Sequence, residues 1–185
     1  MPRFTVNFDK TAFVPNTKKN RDGFELTNEE VRALSSELAA SGAFPEGISG
    51  VTRVTANPDD VIRKGEDVKM FVSIDLTVEA DDEDEARYTR APGALLAAIA
   101  GRLHPELADL TYGWEVLETE PCREYVIAGA TDAEGGQLFW SNAQGWVDRA
   151  SADVFSGTEH DTLRLPEGGT WSEIEQDLPA PAPSA

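Results

Sequence analysis

The sequence predicts an α+β fold in which an antiparallel sheet packs against a few helices and is followed by a small tryptophan-rich module. Residues 68–79 alternate six times between apolar and polar side chains, which is the period of a strand with one buried and one exposed face. Two segments, after Thr27 and after Pro92, repeat apolar residues at helical spacing. Residues 138–171 contain three of the four tryptophans, whose size suits a small core of their own.

The chain begins with a predicted strand and a predicted capped helix. Residues 4–8 alternate between apolar and polar side chains and predict the strand. The polar segment 9–23 predicts a loop. Thr27 is the expected N-cap of the helix, and Glu30, three residues later, completes a capping box. The buried stripe of this helix consists of Val31, Leu34 and Leu38.

The next elements complete a recognisable order. Residues 51–56 predict a short strand, residues 68–79 a long one, and residues 111–118 a further one. Pro92 suits the first position of a second helix. The buried side of that helix consists of Leu95, Leu96, Ile99 and Leu103. Strand, helix, strand, strand, helix and strand form the ferredoxin-like (βαββαβ) arrangement, an antiparallel sheet with both helices on one face.

The C-terminal segment predicts a small α/β module. Residues 124–130 and 137–141 predict a hairpin, and a turn at 142–145 leads into a further short strand. Thr158 with Asp161 predicts a cap for a short helix, and residues 171–175 predict an edge strand. The predicted domains are a ferredoxin-like domain at 1–120, the Trp-rich module at 121–176 and a disordered Pro/Ala tail at 177–185.

Residues 138–171 carry a recurring pattern of aromatic residues, glycines and apolar residues. Its positions are Trp140-Ser141-Asn142, Gly145-Trp146-Val147, Ala152, Val154-Phe155, Leu163, Leu165-Pro166, Gly168-Gly169 and Trp171. The segment resembles a module at the ends of many uncharacterised bacterial, plasmid and phage proteins, several of them actinobacterial. The resemblance covers about a fifth of the chain. It implies a phage or mobile-element origin and no transferable activity.

The charge of the chain excludes several function classes. The formal net charge is −18, from 16 basic and 34 acidic residues, and such an excess of acid repels nucleic-acid phosphates and anionic membranes. The start of the chain lacks the apolar region of a signal peptide, and no apolar run approaches the length of a membrane span. We therefore expect a soluble cytoplasmic protein that contacts neither nucleic acid nor membrane. The charge fits a solvated surface, a basic protein partner, or adaptation to a salty cytoplasm.

Charge is distributed unevenly, and this suggests a partner-binding surface. Residues 1–24 contain five basic and two acidic residues, whereas six of the seven residues at 79–85 are acidic. The candidate partner-binding residues are Asp75, Glu79, Asp81, Asp82, Glu83, Asp84 and Glu85. Opposite charges on one chain are also compatible with self-association into a homo-oligomer.

Catalytic and metal-binding patterns are weak in this sequence. Cys122 is the single cysteine, which leaves no intramolecular disulfide, and we expect it to be a small buried side chain. His104 precedes Pro105 at a helix end, where a cation suits the helix dipole. His160 lies between Glu159 and Asp161, and successive helical residues point in different directions, which disfavours a shared metal site. We predict no cofactor, no metal and no catalytic residue.

The sequence therefore favours a non-enzymatic, acidic protein–protein interaction module. A sharper hypothesis is that its acidic residues imitate phosphates and block a basic nucleic-acid-binding protein of the host. RNA binding on the sheet is disfavoured, because the exposed side of the long strand offers Phe71 alone as an aromatic. Two alternatives remain open. One is an enzyme or small-ligand binder with a site between the domains near Trp114, Trp140 and Trp146. The other is a self-associating assembly component.

Overall fold

A computed structural model of the chain describes residues 1–61, 65–132 and 135–174, with all of their side chains except that of Thr158. These residues form two compact units, Met1–Pro121 and a second unit that begins at Cys122. Each unit contains an antiparallel sheet, and the fold is α+β with few helices. The predicted tail at 177–185 lies outside the described residues. Among the helices described, none has the length and apolar character needed to cross a membrane.

The first unit is a five-stranded sheet with helices on one side. Its elements are β1 (Arg3–Val14), α1 (Lys18–Arg21), β2 (Phe24–Glu25), α2 (Asn28–Ala40), β3 (Ile48–Pro58), β4 (Val68–Glu79), α3 (Glu83–Arg87), α4 (Gly93–Ala100), a 3-10 helix (Pro105–Asp109) and β5 (Glu115–Pro121). The strand order is β2-β3-β4-β1-β5, and every pairing is antiparallel. The long central strands β1 and β4 pair along their whole length.

The core of the first unit lies on one face of this sheet, as the alternation in the sequence predicts. Val68, Met70, Val72, Ile74, Leu76 and Val78 are all buried, and the residues between them are not. Val31 and Leu34 of α2 and Leu96 and Ile99 of α4 belong to the same buried cluster. The predicted capping box is confirmed, because the Thr27 backbone N–H donates to Glu30 Oε2 at 2.8 Å and the Thr27 hydroxyl accepts from the Glu30 N–H at 3.3 Å.

Several boundaries in the first unit differ from the predictions. The predicted loop at 9–23 is wrong at both ends, because β1 continues to Val14 and α1 begins at Lys18. Ala12 and Val14 extend the buried alternation of β1, and pairing with β4 satisfies the backbone of the polar residues between them. Pro92 is the N-cap of α4 rather than its first helical residue.

The last strand of the first unit begins later than predicted. β5 begins at Glu115 instead of residue 111, because the chain before it bends at Tyr112 and Gly113 has a positive φ of 72°. After this bend, Trp114 Nε1 donates to the Leu110 carbonyl oxygen at 2.6 Å. An extended strand would hold these two residues too far apart for this bond.

The second unit is a smaller sheet with an aromatic core. Its elements are β6 (Glu124–Thr131), β7 (Gln137–Ser141), β8 (Gly145–Val147), β9 (Phe155–Ser156), α5 (Gly157–Thr162) and β10 (Thr170–Ile174). The strand order is β10-β6-β7-β8, with β9 also paired to β6, so the predicted hairpin and the predicted edge strand are confirmed. Tyr125, Ile127 and Phe155 form the buried core, and the side chains packed around it are Trp140, Trp146, Leu165 and Trp171.

The short helix of the second unit has a different cap from the predicted one. Ser156, not Thr158, is the N-cap, and Glu159 rather than Asp161 completes the box. Glu159 Oε2 accepts from the Ser156 N–H at 2.9 Å, and Ser156 Oγ accepts from the Glu159 N–H at 3.3 Å. In the predicted pair (Thr158, Asp161) and the observed pair (Ser156, Glu159) the residues are three apart. Only the longer glutamate side chain reaches back to the N-cap backbone.

Candidate functional site

The face of the first sheet opposite the core is polar, and we call it the polar face. Side chains of one strand alternate between faces, so the odd-numbered residues of β1 and β4 lie here. The strand register aligns these residues in rows across the sheet. One row contains Arg53, Asp75, Asn7 and Glu118, from β3, β4, β1 and β5 respectively.

Negative charge predominates on the polar face. The same register assigns to it seven carboxylates: Asp9, Glu25, Asp75, Glu79, Glu115, Glu118 and Glu120. It assigns to it three cations: Arg3, Arg53 and Lys69. Arg53 Nε lies 3.4 Å from Glu25 Oε1, and Lys69 Nζ lies 3.5 Å from Asp59 Oδ2. Arg53 and Lys69 are thus each paired with a carboxylate, and carboxylates outnumber cations on this face by seven to three.

Asp75 lies in the middle of the polar face and is half-buried. Its Oδ1 accepts a short hydrogen bond from Asn7 Nδ2, which also donates to Ser73 Oγ at 2.7 Å. Burial raises the pKa of Asp75 above its ordinary value, and the Glu118 carboxylate adds to the rise. The bond from Asn7 and the charge of Arg53 act in the opposite direction. Burial outweighs them because water is a better solvent for a carboxylate than this sheet surface.

Asp9 is a second carboxyl group with a perturbed pKa on the polar face. It pairs across the sheet with Ser73 on one side and Glu115 on the other. Partial burial raises the pKa of Asp9, and the nearby Glu115 carboxylate raises it further. Like charges on neighbouring strands disfavour each other's ionised form. Negative charge is therefore concentrated here at a cost to stability, which a cationic partner would relieve.

The burial of Asp75 predicts a pH-dependent gain of stability in the variant Asp75→Asn. Because its folded-state pKa lies above the ordinary 3.8, the charged carboxylate lowers stability above that folded-state pKa and has no such effect below about pH 3.8. We expect the variant to have a higher free energy of unfolding than the wild type at pH 7. That advantage should shrink as the pH falls through the window between the two pKa values. Urea unfolding from pH 3 to 8 measures it.

Asp67→Asn, at an exposed position, is the control for losing one negative charge. A variant Asp75→Asn that is less stable than the wild type at pH 7 would contradict the prediction. It would mean that the charged bond from Asn7 outweighs the cost of burial.

The predicted partner-binding residues do not form one cluster. Glu79 is the last residue of β4, and Glu79 and the acidic residues that follow it are all exposed. We call this group the acidic end; its members are Glu79, Asp81, Asp82, Glu83, Asp84 and Glu85. Asp75 lies four residues before Glu79 on the same face, about 13 Å away along the strand. It belongs to the middle of the polar face instead of the acidic end.

Two members of the acidic end have structural roles. Asp82 is the N-cap of α3, and its Oδ1 accepts from the Glu85 N–H at 2.8 Å. Glu85 Oε2 accepts from the Asp81 N–H at 2.7 Å. Glu79, Glu83 and Asp84 have no such capping bond among the contacts of the described residues, and they can be replaced without removing the cap of α3.

The opposite end of the polar face carries two exposed aromatic side chains, Phe13 and Phe71. We call these two residues together with Lys69 the aromatic end. Phe13 is 64% exposed and Phe71 is 38% exposed. Phe13 lies directly across from Lys69, and Phe71 directly across from Thr11, so the two rings are diagonal neighbours. The Lys69 ammonium lies 4.7 Å from the centre of the Phe71 ring. Phe71 is the single aromatic on the exposed side of β4, as expected, and Phe13 of β1 adds a second aromatic to this surface.

Phe13 was missed because the predicted loop began at Asp9. Residues 9–14 (DKTAFV) do not alternate between polar and apolar side chains, so the sequence has no clear signal for this part of β1, and the alternation of burial at Ala12 and Val14 emerges only in the structure. The carboxylates of β5 were missed for a similar reason. The predicted strand at 111–118 excluded Glu120 and gave no register to Glu115 or Glu118.

The three candidate ligand-binding tryptophans belong to different units. Trp114 lies in the first unit, where its ring packs against the core. Trp140 and Trp146 face each other across β7 and β8 in the second unit, with ring centres 5.2 Å apart in an edge-to-face arrangement. Trp140 Nε1 donates to Asn142 Oδ1 at 3.1 Å. The contacts of all three rings within their own units are those of packing residues.

The two histidines have separate local roles. His104 Nδ1 accepts from the Glu106 N–H at 3.3 Å and caps the 3-10 helix that follows, which corrects the predicted role as a cation at the end of the preceding helix. The His160 ring stacks on Tyr125 with centres 4.3 Å apart, and its Nδ1 lies 2.8 Å from Asp161 Oδ1.

Cys122 and the acidic side chains of the described residues do not gather into a metal-binding group. Cys122 is half-buried, where we expected full burial. Within residues 1–61, 65–132 and 135–174, no three His, Cys, Asp or Glu side chains are grouped so as to hold a metal ion.

In the comparisons with known proteins, no family model, no curated protein and no solved structure matches this chain. The resemblance of residues 138–171 to a phage and plasmid module therefore remains a prediction.

Proposed function

We propose that this chain is a non-enzymatic, acidic protein-interaction module that binds a basic protein partner. The observation that carries the proposal is the excess of carboxylates on the polar face, seven against three cations, next to the exposed carboxylates of the acidic end. Complementary charge accelerates association and selects partners of the opposite sign. A partner with a cluster of Lys and Arg is the kind of protein that this surface attracts.

The ferredoxin-like arrangement is part of the same proposal. What supports it is the order of the four longer strands in the first sheet, β3-β4-β1-β5, in which β4 separates β1 from β3. The helices α2 and α4 follow β1 and β4 along the chain, and both pack on the core face. The short β2 extends the sheet at one edge. In this arrangement the helices leave the opposite face of the sheet to the polar side chains that we propose as the binding surface.

The most specific form of this proposal is that the acidic side chains imitate nucleic-acid phosphates. Glu118 and Glu120 lie two residues apart on the edge strand β5, which separates them by roughly 6–7 Å. Proteins that bind nucleic acid recognise a regular row of negative charges on the phosphate backbone. A partner held through the same cationic surface would be released by duplex DNA, whereas one held elsewhere would not.

Affinity capture with matched variants tests the proposal. The wild-type chain, the acidic-end variant Glu79→Gln/Glu83→Gln/Asp84→Asn and the control variant Asp67→Asn/Glu106→Gln/Asp109→Asn are used as baits in a bacterial lysate. Both variants lose three negative charges, and both retain the α3 cap formed by Asp82 and Glu85. We expect the wild type and the control to capture the same basic proteins at low salt, and the acidic-end variant to capture several-fold less.

The captured proteins are then purified and tested with duplex DNA as a competitor. Release by both DNA and salt supports the proposal, because ionic contacts between exposed groups are screened by salt. Equal capture by the acidic-end variant and the wild type would overturn the role of the acidic end. Capture that is insensitive to salt, or no basic protein among the captured ones, would overturn the proposal itself.

A further inference from the structure

The packing of the first unit does not require aromatic side chains at the aromatic end. Phe13 and Phe71 lie on the two central strands of the first sheet but on the side away from the core. Phe13 is 64% exposed and Phe71 is 38% exposed. The neighbouring side chain on this face, Lys69, has its ammonium over the Phe71 ring and paired to Asp59. Aromatic side chains of this kind are the usual anchors of protein interfaces.

The aromatic end and the carboxylates share one continuous surface. Along β1 the polar face runs from Phe13 through Thr11 and Asp9 to Asn7, and along β4 from Phe71 through Ser73 to Asp75. Asp75 therefore lies about 13 Å from Phe71, and the β5 carboxylates flank the same rows. An occupant that contacts the two rings reaches the carboxylates within a few residues of its own chain.

We propose that the polar face is the docking surface for the basic partner, and that Phe13 and Phe71 anchor an apolar side chain carried by a cationic segment of that partner. This inference rests on the proposed function and adds the position of the contact and the composition of the segment. Charge complementarity selects this occupant over a single-stranded nucleic acid. The rings could stack on bases, but the neighbouring carboxylates would repel the phosphates and Lys69 is already paired to Asp59.

Two peptides of equal charge distinguish the contribution of the aromatic anchor to affinity from the contribution of charge. One fluorescein-labelled peptide alternates six lysines with serines, and the second has two of its serines replaced by leucine. Their affinities for the full chain are measured by fluorescence anisotropy at low salt. We expect the leucine peptide to bind the wild type at least fivefold more tightly, which corresponds to about 1 kcal/mol.

Matched variants assign that difference to the two rings. Phe13→Thr/Phe71→Thr keeps residues that favour strands, and circular dichroism verifies that it folds. We expect this variant to bind both peptides alike, with the affinity that the wild type has for the serine peptide. The control Tyr88→Thr/Tyr112→Thr removes two exposed aromatics elsewhere, 78% and 85% exposed, and should preserve the fivefold preference.

The outcomes distinguish this inference from the proposed function. Binding of both peptides without a preference for leucine, or a preference that persists in Phe13→Thr/Phe71→Thr, would overturn the anchor and leave the acidic interaction intact. Failure of both peptides to bind would overturn the proposed function as well. Binding of a labelled oligothymidine that is lost in Phe13→Thr/Phe71→Thr would overturn the choice of partner and assign the surface to single-stranded nucleic acid.

Discussion

Gly93→Ala is expected to destabilise the first unit by about 3 kcal/mol or more, which is the upper range for overpacking a core. Gly93 is the first residue of α4, and a Cβ atom built on it would overlap the carbonyl oxygen of Thr111 and lie 2.8 Å from the Thr111 carbonyl carbon. Both obstacles are backbone atoms, so the clash cannot be relieved by rotating a side chain. The chain before β5 would have to move away from α4.

Helix propensity makes the opposite prediction for Gly93→Ala and is too weak to prevail. Alanine is favoured over glycine in a helix interior by about 1 kcal/mol, and less at a first helical position. The steric term is larger, because the overlap involves atoms that already pack against the helix. Hydrogen exchange of the β4 amides measures the stability of the first unit and should show the loss.

Gly157→Ala is a matched control for Gly93→Ala. Gly157 is also the first residue of a helix, α5, and the nearest atom to its built Cβ is a side-chain carbon of Arg123 at 3.9 Å. Here only propensity acts, and we expect the stability of the second unit to be unchanged or slightly raised. A neutral Gly93→Ala variant would contradict the close packing of α4 against Thr111.

Gly129→Ala is expected to destabilise the second unit by about 2–3 kcal/mol. A Cβ atom at this position of β6 would overlap the Trp146 ring at Cζ3 and lie 2.6 Å from Cη2 and 2.7 Å from Cε3. The ring would have to leave the surface of β6, and its edge-to-face contact with Trp140 would be lost. Near-ultraviolet circular dichroism should report the change in tryptophan packing, and hydrogen exchange of β6 the loss of stability.

A double-mutant cycle tests the cause of this effect. In the background Trp146→Leu the ring that meets the new Cβ is absent, so Gly129→Ala should cost less than about 1 kcal/mol. An equal cost in both backgrounds would show that the glycine is required for another reason, such as the backbone conformation of β6. The cycle also tests whether Trp146 is a packing residue, as its contacts within the second unit indicate.

The residues that stabilise the two cores and the residues of the proposed binding surfaces are different. The two glycines support the cores of the two units, whereas the polar face, the acidic end and the aromatic end are surfaces that the first core does not need. Substitutions at Phe13, Phe71, Glu79, Glu83 and Asp84 should therefore alter binding with little effect on stability. A loss of binding in those variants can then be attributed to the surface instead of to unfolding.

The sequence by itself determined the elements whose signals are local. The alternation of residues 68–79 identified β4 and its buried face, because a strand between water and core requires that period. The Thr27 and Glu30 spacing identified the start of α2, because the cap is formed by residues three apart. Two apolar runs around a glycine-containing turn identified the hairpin of β6 and β7 for the same reason.

Only the tertiary structure decided which residues share a surface. The length of β1 depends on its pairing with β4 and β5, since a polar pair such as Asp9 and Lys10 carries no strand signal of its own. The start of β5 follows the bend at Tyr112, next to which Trp114 bonds to the Leu110 carbonyl oxygen. Asp75, Asn7 and Glu118 are far apart in the sequence and become neighbours through strand register, and Phe13 joins Phe71 in the same way. Register is set by contacts between distant segments, so a reading of local patterns could not place these residues together.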